Sequence, residues 1–433
     1  MTDTDPMREP LSPSAELGLR ARLVAQGAFT RVAAHLGDPL AKLLLAPWRD
    51  DPYPLYEGLR GQGPLVRSKL GTWAATTHAT CDAVLRDRRF GVRTSRGEWH
   101  DPTMAGVDLQ LSLLELDPPD HTRVRRLAAP AFRPRKIESF RDRIAAIADD
   151  LLDEALERGE LDVIRDFASP LPIRVIAELL DLPAVDTGRL AEHGAVLGGS
   201  LDGIRSPKHL RRMRESSAAL DALFDEVIEQ RRRFPGQDVI SELVTARDDD
   251  RLGAGELQQL CHLLLVAGFE TTVNLIGNGT LALLRNPAQF DALRDDPGLA
   301  RGVVEETLRW DPPVQATVRI AHEPVELAGH QLPQDAMVLA LLGSAGRDPA
   351  AHTDPSRFDI TREDRGEHLA FSSGIHYCLG APLARLEAEV AFGVLAARLP
   401  EPRQAGPLTR RPTTILHGLN SLPVNAGHAP TSA

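Results

Sequence analysis

Near the carboxyl end the chain reads FSSGIHYCLG over residues 371–380, which places Cys378 between glycines and two positions after His376. Gly374 and Gly380 permit turns and close backbone approach that a side chain would block. LGAPLARLE follows at once and reads as a helix, whose amino terminus offers unpaired N–H groups that favour a thiolate. An anionic sulfur in such a loop suits a soft metal centre, and His376 could address a negative group beside that centre. The plain alternative is a buried structural cysteine, since free cysteine is among the most buried residues. That alternative is adopted for Cys81 and Cys261, which have no special neighbours.

Other residues could do related chemistry. LLLVAGFETTVN sets Glu270 beside Thr271 in an apolar run, after the small Ala267 and Gly268. A buried glutamate is costly without a role or partners. Thr271 can bond the carbonyl four residues back, and an acid–alcohol pair with ordered water can relay protons. DHTRVRR places His121 and Arg125 four apart on one helix face, and TVRIA supplies Arg319. Glu306 and Arg309 in VEETLRW are three apart, a spacing that most often gives only a modest surface contact.

The elements that must carry these residues are mainly helical. One helix is expected over LGLRARLVAQGAFTRVAAHL, then a helix, a glycine turn and two short strands from Pro52. From Asp117 to about Arg309 nearly every segment has helical periodicity. GAGELQQLCHLLLVAGFETTVNLIGNGTLALLRN reads as one helix of about thirty residues, long enough to run through the middle of a globular protein. After Trp310 the pattern turns to short strands, a proline-rich meander, the cysteine loop and a last helix. Residues 91–116 form a long irregular connection, of the kind that acts as a lid.

Composition narrows the classes. The chain has 433 residues and a formal charge of -11, a poor match for nucleic acid or an anionic membrane. The three cysteines are scattered, without disulfide or zinc spacing, which reads as a reducing cytoplasm. The polar, acidic start lacks the marks of a signal peptide. The apolar run around LCHLLLVAGF is taken as too short and interrupted for a membrane span.

FxxGxHxCxG, met here by Phe371, Gly374, His376, Cys378 and Gly380, resembles the haem-ligand loop of the cytochromes P-450 of soluble bacterial type. Ser372 stands where many members have glycine, a change expected to alter a turn and not the ligation. AGFETT resembles the family's AGx(D/E)TT, Glu306 and Arg309 its ExxR, and GRDPAAHTDPSRFDITR its meander, with Gly346 where asparagine is common. The resemblance runs from about Asp51 to the end.

The resemblance implies a mainly α fold with a small β portion and a long central helix over the haem. It implies one haem-binding domain over 51–433, with 1–50 an amino-terminal extension. Haem b would have Cys378 as its proximal thiolate, and His121, Arg125, Arg319 and His376 would contact its propionates. Glu270 and Thr271 would deliver protons for the activation of O2, beside Ala267 and Gly268. Glu306, Arg309 and, from the meander, Arg362 would lock the core. Substrate would meet Leu113, Leu114, Val266, Phe269 and the stretch Val314, Gln315, Ala316, Thr317 and Val318, under a lid from 91–116.

The implied function is a cytoplasmic, monomeric monooxygenase that hydroxylates or epoxidises a hydrophobic small molecule. With no flavin motif evident, electrons are expected from a ferredoxin and its NAD(P)H-dependent reductase, docking near Arg123, Arg126 and Arg385. Glutamate at 270 resembles members that oxidise macrolides. The rival readings are oxidative coupling, a peroxygenase, and a haem or ligand-binding protein without catalysis.

Overall fold

The central helix, Ala254–Arg285, is 32 residues long, about 48 Å at 1.5 Å per residue. Glu256 caps its start by accepting the Gly253 N–H at 2.8 Å. The computed structural model describes residues 12–98, 112–182, 186–236, 238–248, 252–363 and 367–426. Helices Pro170–Leu179, Thr187–Gly198, Ala300–Trp310 and Ala381–Arg398 all pack on the central helix. By length and composition it could cross a membrane, contrary to the expectation that its apolar run was too short. However, 78% of that window is buried inside the protein, which makes it a core helix.

The largest buried cluster draws on residues from Leu113 to Val424, so elements far apart in sequence share one core. Its side chains come mainly from helices with one apolar stripe, such as Arg141–Glu157, where Ile144, Ile147, Ala148, Leu151, Leu152 and Ala155 recur at helical spacing on the buried face.

The β portion is small. Strands Leu65–Arg67, Trp73–Ala75, Met337–Ala340, Thr317–Ala321 and Phe90–Gly91 form one sheet in that spatial order. The contact of Trp73–Ala75 with Met337–Ala340 is parallel and the others are antiparallel. Arg319 is the middle residue of strand Thr317–Ala321, between Met337–Ala340 and the edge strand Phe90–Gly91. The expected amino-terminal helix is present as Pro13–His35, starting earlier than its periodicity suggested because Ser12 accepts the Ala15 N–H as a cap. Half of the expected lid, 99–111, lies outside the described residues.

Candidate active site

Helix Asp120–Ala128 carries His121 and Arg125 on one face, as their spacing required. His121 is 1% exposed, and neither of its ring nitrogens has a partner. Its ring lies 4.3 Å from that of His376, whose Nε2 is also unpartnered. Arg319 reaches the same place from the sheet, 4% exposed, with Nη1 spent on the Val318 carbonyl at 2.8 Å. Arg125 donates to the Tyr377 carbonyl at 2.6 Å, which ties the helix to the cysteine loop.

Burial pushes His376 down to about 3, with Arg319, His121 and Arg125 adding to the effect. Burial likewise lowers Arg319 to about 10. Asp117 is the nearest acid, 4.0 Å from His376, but it already accepts the Val92 and Arg93 N–H groups. A buried group of donors so poor in acceptors fits an anionic partner with carboxylate oxygens. The propionates of a haem are such a partner.

The cysteine loop is held from behind. Cys378 donates its N–H to the Phe371 carbonyl at 2.9 Å. Gly374 has φ +66, and a Cβ there would strike the Leu85 carbonyl and lie 3.1 Å from the Arg86 Cα, so a side chain at this position is excluded twice over. Gly380 differs, since a Cβ would meet no atom within 4 Å. Ser372 takes φ +63, the left-handed region that glycine enters without cost. Its substitution is absorbed as local backbone strain.

Cys378 is exposed, unlike Cys81 and Cys261. Burial raises the Cys378 thiol, and the Gly380 and Ala381 N–H groups and Arg125 only partly offset it. The helix-terminus N–H groups thus favour the thiolate, as the sequence had suggested, against the opposing effect of burial. A bound metal ion would favour the deprotonated sulfur further. Cys81 and Cys261 are buried, and burial pushes both up to about 12.

On the central helix, Ala267, Gly268 and Thr271 are half-buried within an otherwise buried run, so the helix has an open face there. Thr271 donates to the Ala267 carbonyl and Thr272 to that of Gly268, both at 2.8 Å. Glu270 points elsewhere, 2% exposed, against Gly198 of the neighbouring helix and bonded by Arg411. Its other oxygen has no partner. Burial raises its pKa, against the charge of Arg411. Arg411 escaped sequence reasoning, because it sits 141 residues away in an arginine-bearing tail with no local pattern.

Glu306 and Arg309 are both fully buried, not on the surface. Arg309 makes a fork to Glu306 at 2.8 and 2.7 Å, and donates to the carbonyls of Gly346, Pro355 and Arg357. Arg362 lies 3.3 Å from Glu306. Helix and meander are thus joined through one buried ion triad.

Several expected substrate contacts are turned to packing. Phe269 lies against Gly194, with Cδ1 3.1 Å from where a Cβ would stand. Leu113 and Val266 are core residues. Gln315 donates to Tyr53 and the Pro312 carbonyl, and Ala316 joins a cluster with Tyr56, Leu59 and Leu341. An extended segment points successive side chains to opposite faces, so residues 314–318 could not all line one cavity. Val314, Thr317 and Val318 remain half-buried, and Leu114 is exposed. Two expected docking cations are also already paired, Arg123 with Glu256 and Asp120, and Arg385 with Glu305.

Comparison with known proteins gives a consistent picture. The family model described as Cytochrome P450 matches residues 298–398. 6-Deoxyerythronolide B hydroxylase of Saccharopolyspora erythraea is 41% identical over 392 residues, 86% of this chain and 96% of that protein. The crystal structure of P450BioI in complex with hexadec-9Z-enoic acid ligated acyl carrier protein superposes with a TM-score of 0.81 at 38% identity, covering 87% of this chain and 98% of that one. Cytochrome P450 PksS of the Bacillus subtilis 168 bacillaene polyketide synthase gives 0.79 at 34% identity, covering 89% and 99%. With this likeness along most of its length, and a cysteine loop set beside a buried cluster of donors, the chain belongs to the cytochrome P450 family of haem-thiolate monooxygenases.

Proposed function

We propose that this P450 binds haem b with Cys378 as proximal ligand and inserts one oxygen atom of O2 into a hydrophobic polyketide or macrolide-like small molecule, by hydroxylation or epoxidation. The observation that carries this reading is the buried cluster of His121, Arg125, Arg319 and His376 beside the cysteine, with three ring nitrogens left without partners. These four side chains would take the propionates. When bound, a thiolate-ligated haem supplies the activation of dioxygen.

The chain's own groups then have distinct tasks. The Gly380 and Ala381 N–H groups share the charge of the sulfur. Ala267 and Gly268 keep the wall of the central helix low, with no atom nearer than 3.9 Å to a Cβ at Gly268. Thr271, whose O–H is given to the Ala267 carbonyl, turns its lone pairs outward as an acceptor. Glu270, whose pKa burial raises, is held in orientation by Arg411. Together they form the proton relay. Among the side chains expected to meet substrate, Thr317, on the same strand face as Arg319, keeps that role.

Electrons come from a ferredoxin and its NAD(P)H-dependent reductase, with the exposed Arg126 on the docking side. The enzyme acts as a cytoplasmic monomer whose haem-binding unit is residues 51–433. The substrate class is supported by the names of two relatives, 6-deoxyerythronolide B hydroxylase and the P450 of the bacillaene polyketide synthase.

The test is the carbon monoxide difference spectrum of the dithionite-reduced protein. A strongly red-shifted Soret band is expected, and Cys378→Ala should remove it. An unchanged band in the variant would exclude Cys378 as the ligand. Titration with polyketides should then shift the spin state, and a panel without any shift would overturn the substrate class.

A further inference from the structure

Near the carboxyl end, strands Thr409–Arg410 and Leu419–Ser421 pair as an antiparallel hairpin. Its tip is held on two sides. On one side it joins the segment before strand Thr317–Ala321 through the backbone. Gln315 donates to the Ile415 carbonyl and His417 to that of Pro313, both at 2.8 Å, and Val314 bridges Leu416. On the other side it meets two carboxyl groups from distant parts of the chain, Glu270 of the central helix and Asp202 at the end of the short turn Gly199–Asp202.

Asp202 accepts three successive backbone N–H groups, from Thr414, from Ile415 at 2.7 Å and from Leu416 at 3.3 Å. Successive amides that converge on one point form an anion-binding concavity. Here the chain supplies the anion itself. Burial raises the Asp202 carboxyl, and the three N–H groups and Arg205, the cation that faces it, act against that rise. Without this acceptor, three N–H groups of the tip would go unsatisfied.

Arg411 stands at the base of the same tip. Its backbone N–H donates to the Gly418 carbonyl at 3.1 Å and its Nε to that of Leu419 at 3.2 Å, while Nη1 bonds Glu270. The reach depends on close approach, because a Cβ at Gly418 would strike the side chain of Asn274, one turn along the central helix from Glu270. The turn that bears Asp202 is tied to the same place. Gly198, four residues earlier, packs on Glu270, and a Cβ there would stand 3.1 Å from the Glu270 Cβ and Cγ. Glu270, Arg411 and Asp202 thus share one contact between helix, hairpin and turn.

We infer that Asp202 is a positioning residue for the proton relay: by holding the hairpin tip through the Thr414, Ile415 and Leu416 N–H groups, it sets Arg411 against Glu270. The inference rests on the relay reading of Glu270 and deepens it. Among the described residues, Arg411 is the charge that opposes burial at Glu270, and the neighbouring helix presents Gly198 there. A loosened tip lets burial prevail and raises the proton affinity of Glu270. A direct effect of the Asp202 charge has the opposite sign, since a nearby anion favours the protonated carboxyl and its removal lowers that affinity. The direction of the change tells the two apart.

Infrared spectroscopy of the haem-loaded full chain across pH tests it. The protonated-carboxyl band that Glu270→Gln removes reports Glu270 alone. Asp202→Asn keeps the size of the side chain but turns an NH2 donor against one of the tip N–H groups. Arg411→Gln should raise the proton affinity read from the band's midpoint about tenfold or more, and Asp202→Asn about threefold or more. In the Arg411→Gln background, Asp202→Asn should add nothing. By reciprocity, Arg411→Gln should speed hydrogen exchange of the Thr414, Ile415 and Leu416 amides about fivefold or more, a readout that needs no change at Asp202. An unchanged or lowered midpoint in Asp202→Asn, a rise that adds to that of Arg411→Gln, or unaltered exchange of the three amides overturns the inference. Product per NADPH equal to the parent's in Glu270→Gln would instead overturn the relay reading, and the infrared midpoint keeps the two failures apart.

Discussion

Arg309→Lys should loosen the meander from the core. Arg309 is wholly buried and all five of its guanidinium N–H groups are used, two on Glu306 and one each on the Gly346, Pro355 and Arg357 carbonyls. Lysine offers three donors from a single point and cannot span a carboxylate and three carbonyls. Two acceptors therefore lose their partner in a dry site, at about 1–3 kcal/mol each. Glu306 is not stranded, because Arg362 stays at 3.3 Å and the Asp359 N–H at 2.7 Å. The loss is then about 2–6 kcal/mol, a large share of a typical stability of about 5–15 kcal/mol. At about 2.1 cal/mol/K per residue, 433 residues give about 1 °C of Tm per kcal/mol. A fall of about 2–6 °C is expected by calorimetry of the haem-loaded protein, with faster hydrogen exchange confined to amides of 346–362. A melting temperature equal to the parent's, together with unchanged exchange there, would refute the claim that this fork holds the meander.

Thr271→Ala should keep the haem but divert electrons, so that product per NADPH falls and peroxide rises; equal coupling would remove Thr271 from the relay. Arg411→Gln should make stability more sensitive to pH. Burial holds the folded Glu270 carboxyl above its unfolded value despite Arg411, so the native state binds the extra proton and stability falls as pH rises through that window. Removing the arginine widens the window upward, and urea unfolding should show a larger loss for the variant at pH 8 than at pH 5. An equal loss at both pH values would mean that Arg411 does not act on Glu270.

Much of the site was legible because it depends on local spacing. The donors His121 and Arg125 needed only a helix to share a face, and the cysteine loop needed only its glycines. Gly374 is required by a backbone clash that no other residue could relieve. What was misjudged depended on direction. Phe269 and Val266 look like cavity residues in a list, yet the helix phase turns them into packing. Arg123 and Arg385 look like free charges until Glu256 and Glu305 arrive from other elements.

Residue type and period alone thus determined the mainly helical class, the long central helix and the candidate ligand, since these follow from backbone geometry and side-chain chemistry within a few turns. Only the tertiary structure decided which charges would be neutralised and which would be left in want of a partner. Arg411 silences part of Glu270 from 141 residues away, while His121 and His376, brought together from residues 121 and 376, remain without acceptors. Burial fixes the cost of a charge, and burial is a property of the assembled core rather than of any segment in it.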